Sequence, residues 1–386
     1  MHIAMIGTTA PSHIYPSLGL IAELVRRGHR VSYAVGDVLA HLVDPAGVEV
    51  VRFDSILPQG EDNWPDDPAE AMRVFLDEAI SSFDVLTDFY DGDRPDLLLY
   101  DIGGLAAPVL GRRYGVKAVQ LSPAMVAWDG YEEDLAEVLG PLRESDSGRA
   151  YHAAYSNWLS GNGIDADPWN WISHPEHVLS LIPRAMQPNA DRVPDRVQFV
   201  GPCLDPARFS ERGWTAPASG VRVLYVSFGT GFNERPDFYR TCIEAYTGSD
   251  WHVVISIGDR IDPAVLGDVP SNIEIHPRVP QLAVLDTAAA FVTHAGMGGC
   301  TEALWFEVPT VAIPQAVDQF GNAALLEELG VGVQLKFEDV TVDVLRAAVE
   351  KVADSPDIRA RLAEVGAAVR GSGGIAIAAD AVEASR

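Results

Sequence analysis

The stretch 291-FVTHAGMGGCTEALWFEVPTVAIPQAVDQFGN-322 decides the fold that we expect for this chain. Two short apolar runs, at residues 291–292 and 310–313, enclose a glycine turn and a helical segment from about residue 300 to residue 306. This order predicts a β-strand, an α-helix and a second strand parallel to the first. The chain is therefore expected to contain an α/β domain built on a parallel sheet.

The turn between that first strand and the helix contains three glycines, Gly296, Gly298 and Gly299. Glycine lets the backbone come close to a ligand, and the free N–H groups and positive dipole of a helix start favour a phosphate. A second turn of this kind follows the strand predicted at residues 223–227 and adds hydroxyl groups suited to phosphate oxygens. Its candidate contacts are Ser227, Gly229 and Thr230. Both turns predict a diphosphate site.

The segment PQAVDQ at residues 314–319 leaves the second strand at the same carboxyl edge of the sheet. It brings the carboxylate of Asp318 and the amide of Gln319 beside the predicted phosphate site. These groups hydrogen-bond to hydroxyls. We therefore expect them to bind a hydroxylated part of the ligand.

The first half of the chain predicts a similar unit, with a strand at residues 2–6 and a helix that ends near Gly28. The intervening turn, residues 7–13, lacks the second and third glycines of G-x-G-x-x-G, which argues against a nicotinamide dinucleotide site. His13 lies in this turn, outside the carboxyl end of the strand, where open α/β sheets place ligands.

Asp101 ends another apolar strand, predicted at residues 96–101, so the topology could bring its carboxylate to His13. A carboxylate that accepts from one imidazole nitrogen fixes the tautomer and raises the basicity of the other nitrogen. The pair would then form a general base. The pattern alone also allows a structural histidine and an aspartate that caps a helix.

The composition describes an acidic chain of two-domain size. It has 386 residues, 47% of them hydrophobic, and a net charge of −27. This charge argues against nucleic acid and anionic membrane surfaces as partners. The chain opens directly on a strand, and no uninterrupted apolar run approaches the ~18 residues of a membrane span. A cytoplasmic protein without a membrane anchor is expected.

Two aspartate pairs, Asp91/Asp93 and Asp165/Asp167, match a D-x-D pattern that can hold a divalent cation. Neither pair ends a clear apolar strand, so we expect solvated loops there. The three cysteines have no metal-ligand spacing. The sequence therefore predicts no metal site.

Several motifs together resemble the donor-binding signature of the family 1 glycosyltransferases, which have the GT-B fold. They are RVPQ at 278–281, HAGMGG at 294–299, Glu302 and PQAVDQ at 314–319, in the family's order and spacing. The likeness covers nearly the whole chain and is strongest to the bacterial macrolide glycosyltransferases, including those that act on oleandomycin. It implies an α/β protein with two Rossmann-like doubly wound domains facing each other across a cleft.

The resemblance also implies roles for single residues. Positions for the uracil are Arg278 and Val279, and positions for the ribose hydroxyls are Gln281 and Glu302. Positions for the diphosphate are Thr230, His294, Gly298 and Gly299, and those for the hexose hydroxyls are Asp318 and Gln319. His13 matches the catalytic base and Asp101 its partner. Arg278 stands where many relatives have a stacking tryptophan, which leaves the preference for uridine over thymidine open.

The expected organisation follows from the linker-like composition after Pro202 and from the resemblance. It comprises an N-terminal acceptor domain at 1–203, a linker at 204–220, a nucleotide-sugar domain at 221–366 and a terminal helix at 367–386 that returns to the first domain. The implied reaction is an inverting, metal-independent transfer of a hexose, with glucose expected, from a UDP-sugar to a macrolide or similar hydrophobic acceptor. The UDP-sugar is a co-substrate, no cofactor is expected, and the protein would be a monomer or homodimer.

Three other functions stay open at this stage. A biosynthetic enzyme that uses a TDP-deoxysugar is the nearest, although Asp318 and Gln319 favour a fully hydroxylated hexose. A sugar-nucleotide epimerase on the same fold would need no acceptor. A non-catalytic partner protein would be expected to lose His13 or the donor signature, both of which this chain retains.

Overall fold

A computed structural model describes residues 1–58, 60 and 63–386. The contacts among them divide the chain into two compact units. Unit 1 comprises Met1–Ile182, Asn189–Leu204 and Gly373–Arg386, and unit 2 comprises Pro183–Pro188 and Asp205–Ser372. Each unit is an α/β domain, as the sequence predicts.

Unit 1 is built on a sheet of seven parallel strands. The strands are β1 (His2–Ile6), β2 (Arg30–Gly36), β3 (Glu49–Phe53), β4 (Leu97–Asp101), β5 (Ala118–Ser122), β6 (Val178–Ser180) and β7 (Val197–Phe199). Their order is β3-β2-β1-β4-β5-β6-β7, so the direction of winding reverses between β1 and β4. In open α/β sheets this switch point is where ligands bind.

Helices pack on both faces of the sheet of unit 1. The helices before residue 174 are α1 (Pro11–Arg26), α2 (Ala40–Val43), α3 (Pro68–Asp91), α4 (Ala106–Tyr114), α5 (Tyr131–Asp134), α6 (Ala136–Glu144), α7 (Asp146–Gly161) and α8 (Pro168–Ser173). Alternate residues of β1 enter different cores: Ile3 and Met5 pack with α1, and Ala4 and Ile6 pack with α3 and α4. This period of two explains why the strands are apolar throughout.

The aromatic residues between 125 and 171 serve mainly the core of unit 1. Tyr151 and Tyr155 of α7 are fully buried, and Tyr151 contacts Trp169 of α8 with ring centroids 5.3 Å apart. Trp158 meets Phe83 of α3 edge-on at 5.6 Å. These contacts attach α7 and α8 to α3.

Unit 2 has six parallel strands in the order β10-β9-β8-β11-β12-β13. They are β8 (Arg222–Ser227), β9 (Trp251–Ser256), β10 (Ile273–His276), β11 (Ala288–Thr293), β12 (Thr310–Ala312) and β13 (Gly332–Gln334). The helices are α9 (Pro236–Tyr246), α10 (Gln281–Leu285), α11 (Met297–Trp305), α12 (Gln319–Glu328), α13 (Val342–Asp354) and α14 (Pro356–Gly371). The switch point of this sheet lies between β8 and β11.

The stretch quoted first is therefore β11–α11–β12, as predicted, with one difference. Helix α11 begins at Met297 rather than near residue 300, so two of the glycines lie inside its first turn. Sequence propensity assigns glycine to the turn, because glycine costs about 1 kcal/mol relative to alanine within a helix. Here the helix tolerates Gly298 and Gly299 at its start.

The chain returns to unit 1 with α15 (Ile375–Ala384), which packs against α1. Its Ala378, Ala379 and Val382 are buried in the same core as α1. Arg27 at the end of α1 pairs with Asp380 at 2.6 Å and with Glu383 at 2.8 Å. The chain passes from unit 2 back to unit 1 at Gly373, whereas the sequence placed the end of the nucleotide-sugar domain at residue 366.

Among the described residues, one segment is long and apolar enough to span a membrane, Pro356–Ala384. It consists of two helices, α14 and α15, separated by the turn at 372–374. Each helix buries an apolar stripe within its own unit.

The expected linker at 204–220 belongs largely to unit 2. It contains a 3-10 helix, Pro206–Ser210, in which Phe209 contacts Phe306 with ring centroids 5.9 Å apart. The Pro- and Gly-rich composition indicated a domain boundary, and the boundary between the two units does lie between residues 204 and 205. The composition did not indicate that the residues after this boundary pack on α11.

Candidate active site

His13 and Asp101 meet at the switch point of unit 1. Ile6 of β1 pairs with Tyr100 of β4, so the turn that leads from β1 into α1 lies beside the end of β4. His13 is in the first turn of α1, and its Nδ1 lies 2.8 Å from Oδ1 of Asp101. The predicted pair is present.

Asp101 is held by more than the histidine. Its Oδ1 also accepts hydrogen bonds from the Thr8 hydroxyl and from the N–H of Gly103, the latter at 3.0 Å. The Asp101 side chain is 2% exposed, whereas that of His13 is 25% exposed. Asp101 is not a helix N-cap, because α4 begins only at Ala106.

This geometry defines the chemistry of the imidazole. A carboxylate can only accept, so the proton of a neutral His13 lies on Nδ1 and the lone pair lies on Nε2. A buried carboxylate behind Nδ1 also stabilises the imidazolium that forms when Nε2 takes a proton. His13 is therefore equipped to act as a general base on a substrate hydroxyl.

Two glycines lie directly against the imidazole of His294 at the switch point of unit 2. A Cβ at Gly229, after β8, would lie 2.6 Å from Cε1 of His294, and a Cβ at Gly296 would lie 2.5 Å from its Nε2. Gly229 also has a φ of +71°, which favours glycine. Ser227 accepts the Gly229 N–H at 3.2 Å, and Thr230 next to it is exposed.

The His294 imidazole is neutral at physiological pH. Burial lowers its pKa to about 4, and its Nδ1 has no hydrogen-bond partner among the described residues. Desolvation disfavours the charged form because the ring leaves water without gaining a counter-ion. A neutral imidazole offers one N–H, which suits a phosphate oxygen.

The turn after His294 is strained and fixed from two sides. Ala295 is fully buried with a φ of +63°. The hydroxyl of Thr293 accepts its N–H at 3.1 Å, and Asn322 donates to its carbonyl at 2.9 Å. Such backbone costs about 1–3 kcal/mol and is concentrated at functional sites. Here it directs the chain into α11.

The start of α11 is open towards a ligand. Its N-cap, Gly296, has no side chain to accept the first N–H groups of the helix. A Cβ at Gly298 would meet no atom within 4 Å, and one at Gly299 would make only ordinary contacts. The free N–H groups and the helix dipole therefore face a space that can accommodate a phosphate.

Gln281 and Glu302, predicted at the ribose hydroxyls, contact each other. Gln281 donates from Nε2 to Oε2 of Glu302, while its Oε1 accepts from the hydroxyl of Tyr225 at 3.0 Å. The other Glu302 oxygen pairs with Arg208 at 2.6 Å. Arg208 was not predicted from the sequence.

Arg278 and Val279 lie at the edge of this group. The Arg278 guanidinium is 68% exposed and donates from Nε to Asp259 at 2.7 Å, and Val279 packs against the core around α10. A planar guanidinium held in this way can stack on a nucleobase.

Asp318 and Gln319 have different environments at the start of α12. Asp318 is exposed and accepts from Nδ2 of Asn322 at 2.9 Å. Gln319 is buried, and its Oε1 accepts the backbone N–H groups of Gln315 at 2.8 Å and Ala316 at 3.1 Å. Its oxygen therefore shapes the loop, and its amide nitrogen is the part left to donate to a ligand.

Three of the four D-x-D carboxylates, those of Asp91, Asp93 and Asp167, are engaged with protein groups. Asp91, the last residue of α3, pairs with Arg113 at 2.8 Å, which lowers the pKa of the carboxyl. Asp93 pairs with Arg30. Asp167 caps α8 and contacts His152 at 2.9 Å, and Asp165 lies in an exposed loop. No group of three metal-ligating side chains occurs in the described part of the chain.

The chain is similar to known proteins in sequence and in fold. Residues 240–372 match the family described as Erythromycin biosynthesis protein CIII-like, C-terminal domain. Oleandomycin glycosyltransferase of Streptomyces antibioticus is 46% identical over 99% of this chain and 90% of its own length. NDP-glycosyltransferase YjiC of Bacillus licheniformis is 33% identical over 99% of this chain and 97% of its own length.

A solved structure, the glycotransferase of kitacinnamycin, superposes with a TM-score of 0.92 at 40% identity and covers 100% of this chain and 98% of its own. The fold is thus GT-B, as predicted, and fold and site together define a glycosyltransferase. The chain belongs to the family 1 glycosyltransferases, in the group of bacterial macrolide and natural-product enzymes.

Proposed function

We propose that this enzyme transfers a hexose, with glucose as the first candidate, from a UDP-sugar to a hydroxyl of a macrolide or similar hydrophobic natural product, with inversion and without a metal ion. The observation that carries the proposal is the 2.8 Å contact between His13 and the buried Asp101. It supplies a base for the acceptor in a chain that also has an uncapped, glycine-lined helix start for the donor diphosphate.

The reaction would be a single displacement. Nε2 of His13 takes the proton of the acceptor hydroxyl as its oxygen attacks the anomeric carbon of the sugar. The bond from that carbon to the diphosphate oxygen breaks, and UDP leaves with the electron pair from the opposite face. Asp101 stabilises the imidazolium through Nδ1. A base positioned in this way contributes about 10²–10⁴-fold to the rate.

The diphosphate charge that develops would be met by groups of unit 2. The N–H groups of Gly298 and Gly299, the dipole of α11, the imidazole N–H of His294 and the hydroxyl of Thr230 are the candidates. Fixed donors of this kind stabilise charge without reorganising during the reaction. They take the role that a divalent cation has in D-x-D enzymes.

The donor assignment rests on two groups of side chains. Gln281 and Glu302 present an amide and a carboxylate that suit a ribose diol, and the exposed Asp318 carboxylate suits a hydroxylated hexose. A TDP-deoxysugar remains the alternative donor. The description of the matching family includes biosynthesis, and one relative is named for nucleoside diphosphate donors in general.

The acceptor assignment follows the relative named for oleandomycin. Glucosylation of a macrolide hydroxyl would block its binding to the ribosome, so the enzyme would serve self-resistance in the cytoplasm. We expect a monomer or homodimer. A net charge of −27 disfavours nucleic acid as a partner.

The test is incubation with UDP-glucose and a panel of macrolides in excess EDTA, followed by mass spectrometry. The expected product is a macrolide with one added hexose. An epimerase would instead convert the sugar nucleotide without any acceptor, and a TDP-deoxysugar enzyme would transfer only from that donor. Activity that disappears with EDTA and returns with Mn²⁺ would overturn the metal-independent mechanism.

A further inference from the structure

Arg208 and Glu302 form an ion pair that is largely shielded from solvent. Nη1 of Arg208 lies 2.6 Å from Oε1 of Glu302, and the two side chains are 15% and 7% exposed. They are 94 residues apart in the chain. A pair buried to this extent differs from an exposed ion pair, because loss of one partner leaves the other as an uncompensated charge.

The segment that carries Arg208 is fixed on α11. Asp205 caps its 3-10 helix by accepting the N–H of Ala207 at 2.9 Å. Phe209 contacts Phe306, which is one helical turn beyond Glu302. Neighbouring residues of the segment therefore dock on the same face of α11, and the position of the guanidinium is set by the fold rather than by the ion pair alone.

The second oxygen of Glu302, Oε2, is also held by a hydrogen bond, from the amide of Gln281. Tyr225 is 1% exposed, stacks on Phe291 with ring centroids 4.9 Å apart, and donates its hydroxyl hydrogen to Oε1 of Gln281. The Gln281 amide is thereby oriented so that its nitrogen donates to Glu302. The carboxylate has a donor on each oxygen and one fixed orientation.

This arrangement restricts what Glu302 can bind. A carboxylate has about four lone-pair sites and can only accept. Among the described residues, the recorded hydrogen bonds to Glu302 use one site on each oxygen. A vicinal diol offers one O–H to each remaining site. A ribonucleoside has such a diol at its 2′ and 3′ positions, whereas a 2′-deoxyribonucleoside has a single hydroxyl there.

We propose that Arg208 is a positioning residue for the donor: it holds Glu302 as a charged acceptor of the ribose 2′- and 3′-hydroxyls, and so makes the enzyme select ribonucleoside over 2′-deoxyribonucleoside diphosphates. This inference rests on the proposed function, which assigns the donor ribose to Glu302. Arg208 acts through Glu302 and has no role in the chemical step.

The test compares UDP with 2′-deoxy-UDP, which differ by one hydroxyl, in calorimetric titrations of the parent and of Arg208→Gln. The parent should bind UDP at least about tenfold more tightly, since a hydrogen bond to a charged group is lost with the deoxynucleotide. In Arg208→Gln the affinity for UDP should fall about tenfold and that for 2′-deoxy-UDP less than about threefold, so that the preference nearly disappears.

Arg212→Gln is the matched control, because Arg212 is exposed in the same segment and the substitution changes the charge equally. It should leave both affinities unchanged. Arg208→Lys retains the charge and should keep most of the preference for UDP. If thermal melting shows that Arg208→Gln is unfolded, the ratio of UDP to 2′-deoxy-UDP affinity in Arg208→Lys is compared with that of the parent instead.

An Arg208→Gln protein that keeps the parental preference, or variants at Arg208 that lose affinity for both nucleotides equally, would overturn the proposal. Failure of the proposed function would look different, because the parent itself would then bind neither nucleotide or, as an enzyme for TDP-sugars, would bind 2′-deoxy-UDP at least as tightly as UDP.

Discussion

Nδ1 of His13 and Oδ1 of Asp101 lie 2.8 Å apart, although 88 residues separate them in the chain. The contact exists because β1 and β4 are neighbours in the sheet, His13 follows the carboxyl end of β1, and Asp101 is the last residue of β4. The parallel arrangement recurs in unit 2, where His294 follows β11 and Gly229 follows β8. In both units the candidate chemistry lies at the switch point of the sheet.

Replacement of His13 by alanine should lower kcat by about 10²–10⁴-fold, because the acceptor hydroxyl loses its base. The dissociation constant for UDP, measured by calorimetry, should not change, because His13 belongs to unit 1 and the candidate donor-site residues belong to unit 2. His41→Ala, at an exposed histidine in the same unit, is the control. Turnover of His13→Ala within about threefold of the parent would refute the assignment.

Gly298→Ala should separate ligand binding from stability. The added methyl group meets no protein atom within 4 Å, and alanine is a better helix residue, so the melting temperature should stay equal or rise. The same methyl group would occupy the space expected for the diphosphate, so the affinity for UDP should fall at least about tenfold, equal to ~1.4 kcal/mol.

Gly140→Ala in α6 is the control for that substitution, since its Cβ would also lie in open space within a helix. It should change neither UDP affinity nor turnover. Parental UDP affinity in Gly298→Ala would show that the phosphates bind elsewhere.

The stability of unit 2 should depend on pH through His294. The imidazole has a pKa of about 4 in the folded chain and about 6.5 when exposed, so the unfolded state binds the proton between these values. The stabilising contribution is complete above pH 6.5 and is lost as the pH falls towards 4. Parent protein should therefore lose about 1–2 kcal/mol more than His294→Gln between roughly pH 7 and pH 5.

Urea unfolding at both pH values measures this difference, with His41→Gln as an exposed-histidine control. The control should follow the parent. If His294→Gln shows the same pH dependence as the parent, the buried neutral imidazole is not the cause.

Asp318→Ala should change the choice of sugar. The carboxylate is exposed, is oriented by Asn322 and is free to accept sugar hydroxyls. Loss of its hydrogen bonds should cost glucose transfer ~1–3 kcal/mol and narrow the gap in kcat/KM between UDP-glucose and a deoxysugar donor, while UDP binds as before. An unchanged ratio between the two donors would remove Asp318 from sugar recognition.

The sequence predicts those parts of the site that depend on local patterns. The predicted apolar strands placed His13, Asp101 and the α11 turn beyond the carboxyl edges of their sheets, and the doubly wound order of unit 1 brought His13 and Asp101 together. The glycines at 229 and 296 were predicted to let a ligand approach; within the protein, the group that lies close to them is the His294 ring, and their contact with a phosphate stays a prediction.

Other parts depend on tertiary contacts that leave no local signal. Arg208 lies in a stretch whose prolines and glycines indicate a linker, and its partner is 94 residues away. Gln319 matches a sugar-binding position, yet its oxygen is used by the backbone of its own loop. Thr8 donates its hydroxyl hydrogen to Asp101. It lies in the turn at residues 7–13, where the sequence showed only that the glycines of G-x-G-x-x-G are absent and gave no signal for this contact.

A direct, base-driven displacement at the anomeric carbon inverts the configuration of that carbon, so the anomeric configuration of the product tests this mechanism. NMR of the product made from UDP-α-glucose and a macrolide in excess EDTA should show a β-glucoside, formed by the parent and nearly absent with His13→Ala. An α-glucoside, or a β-glucoside formed equally by parent and His13→Ala, would contradict the mechanism.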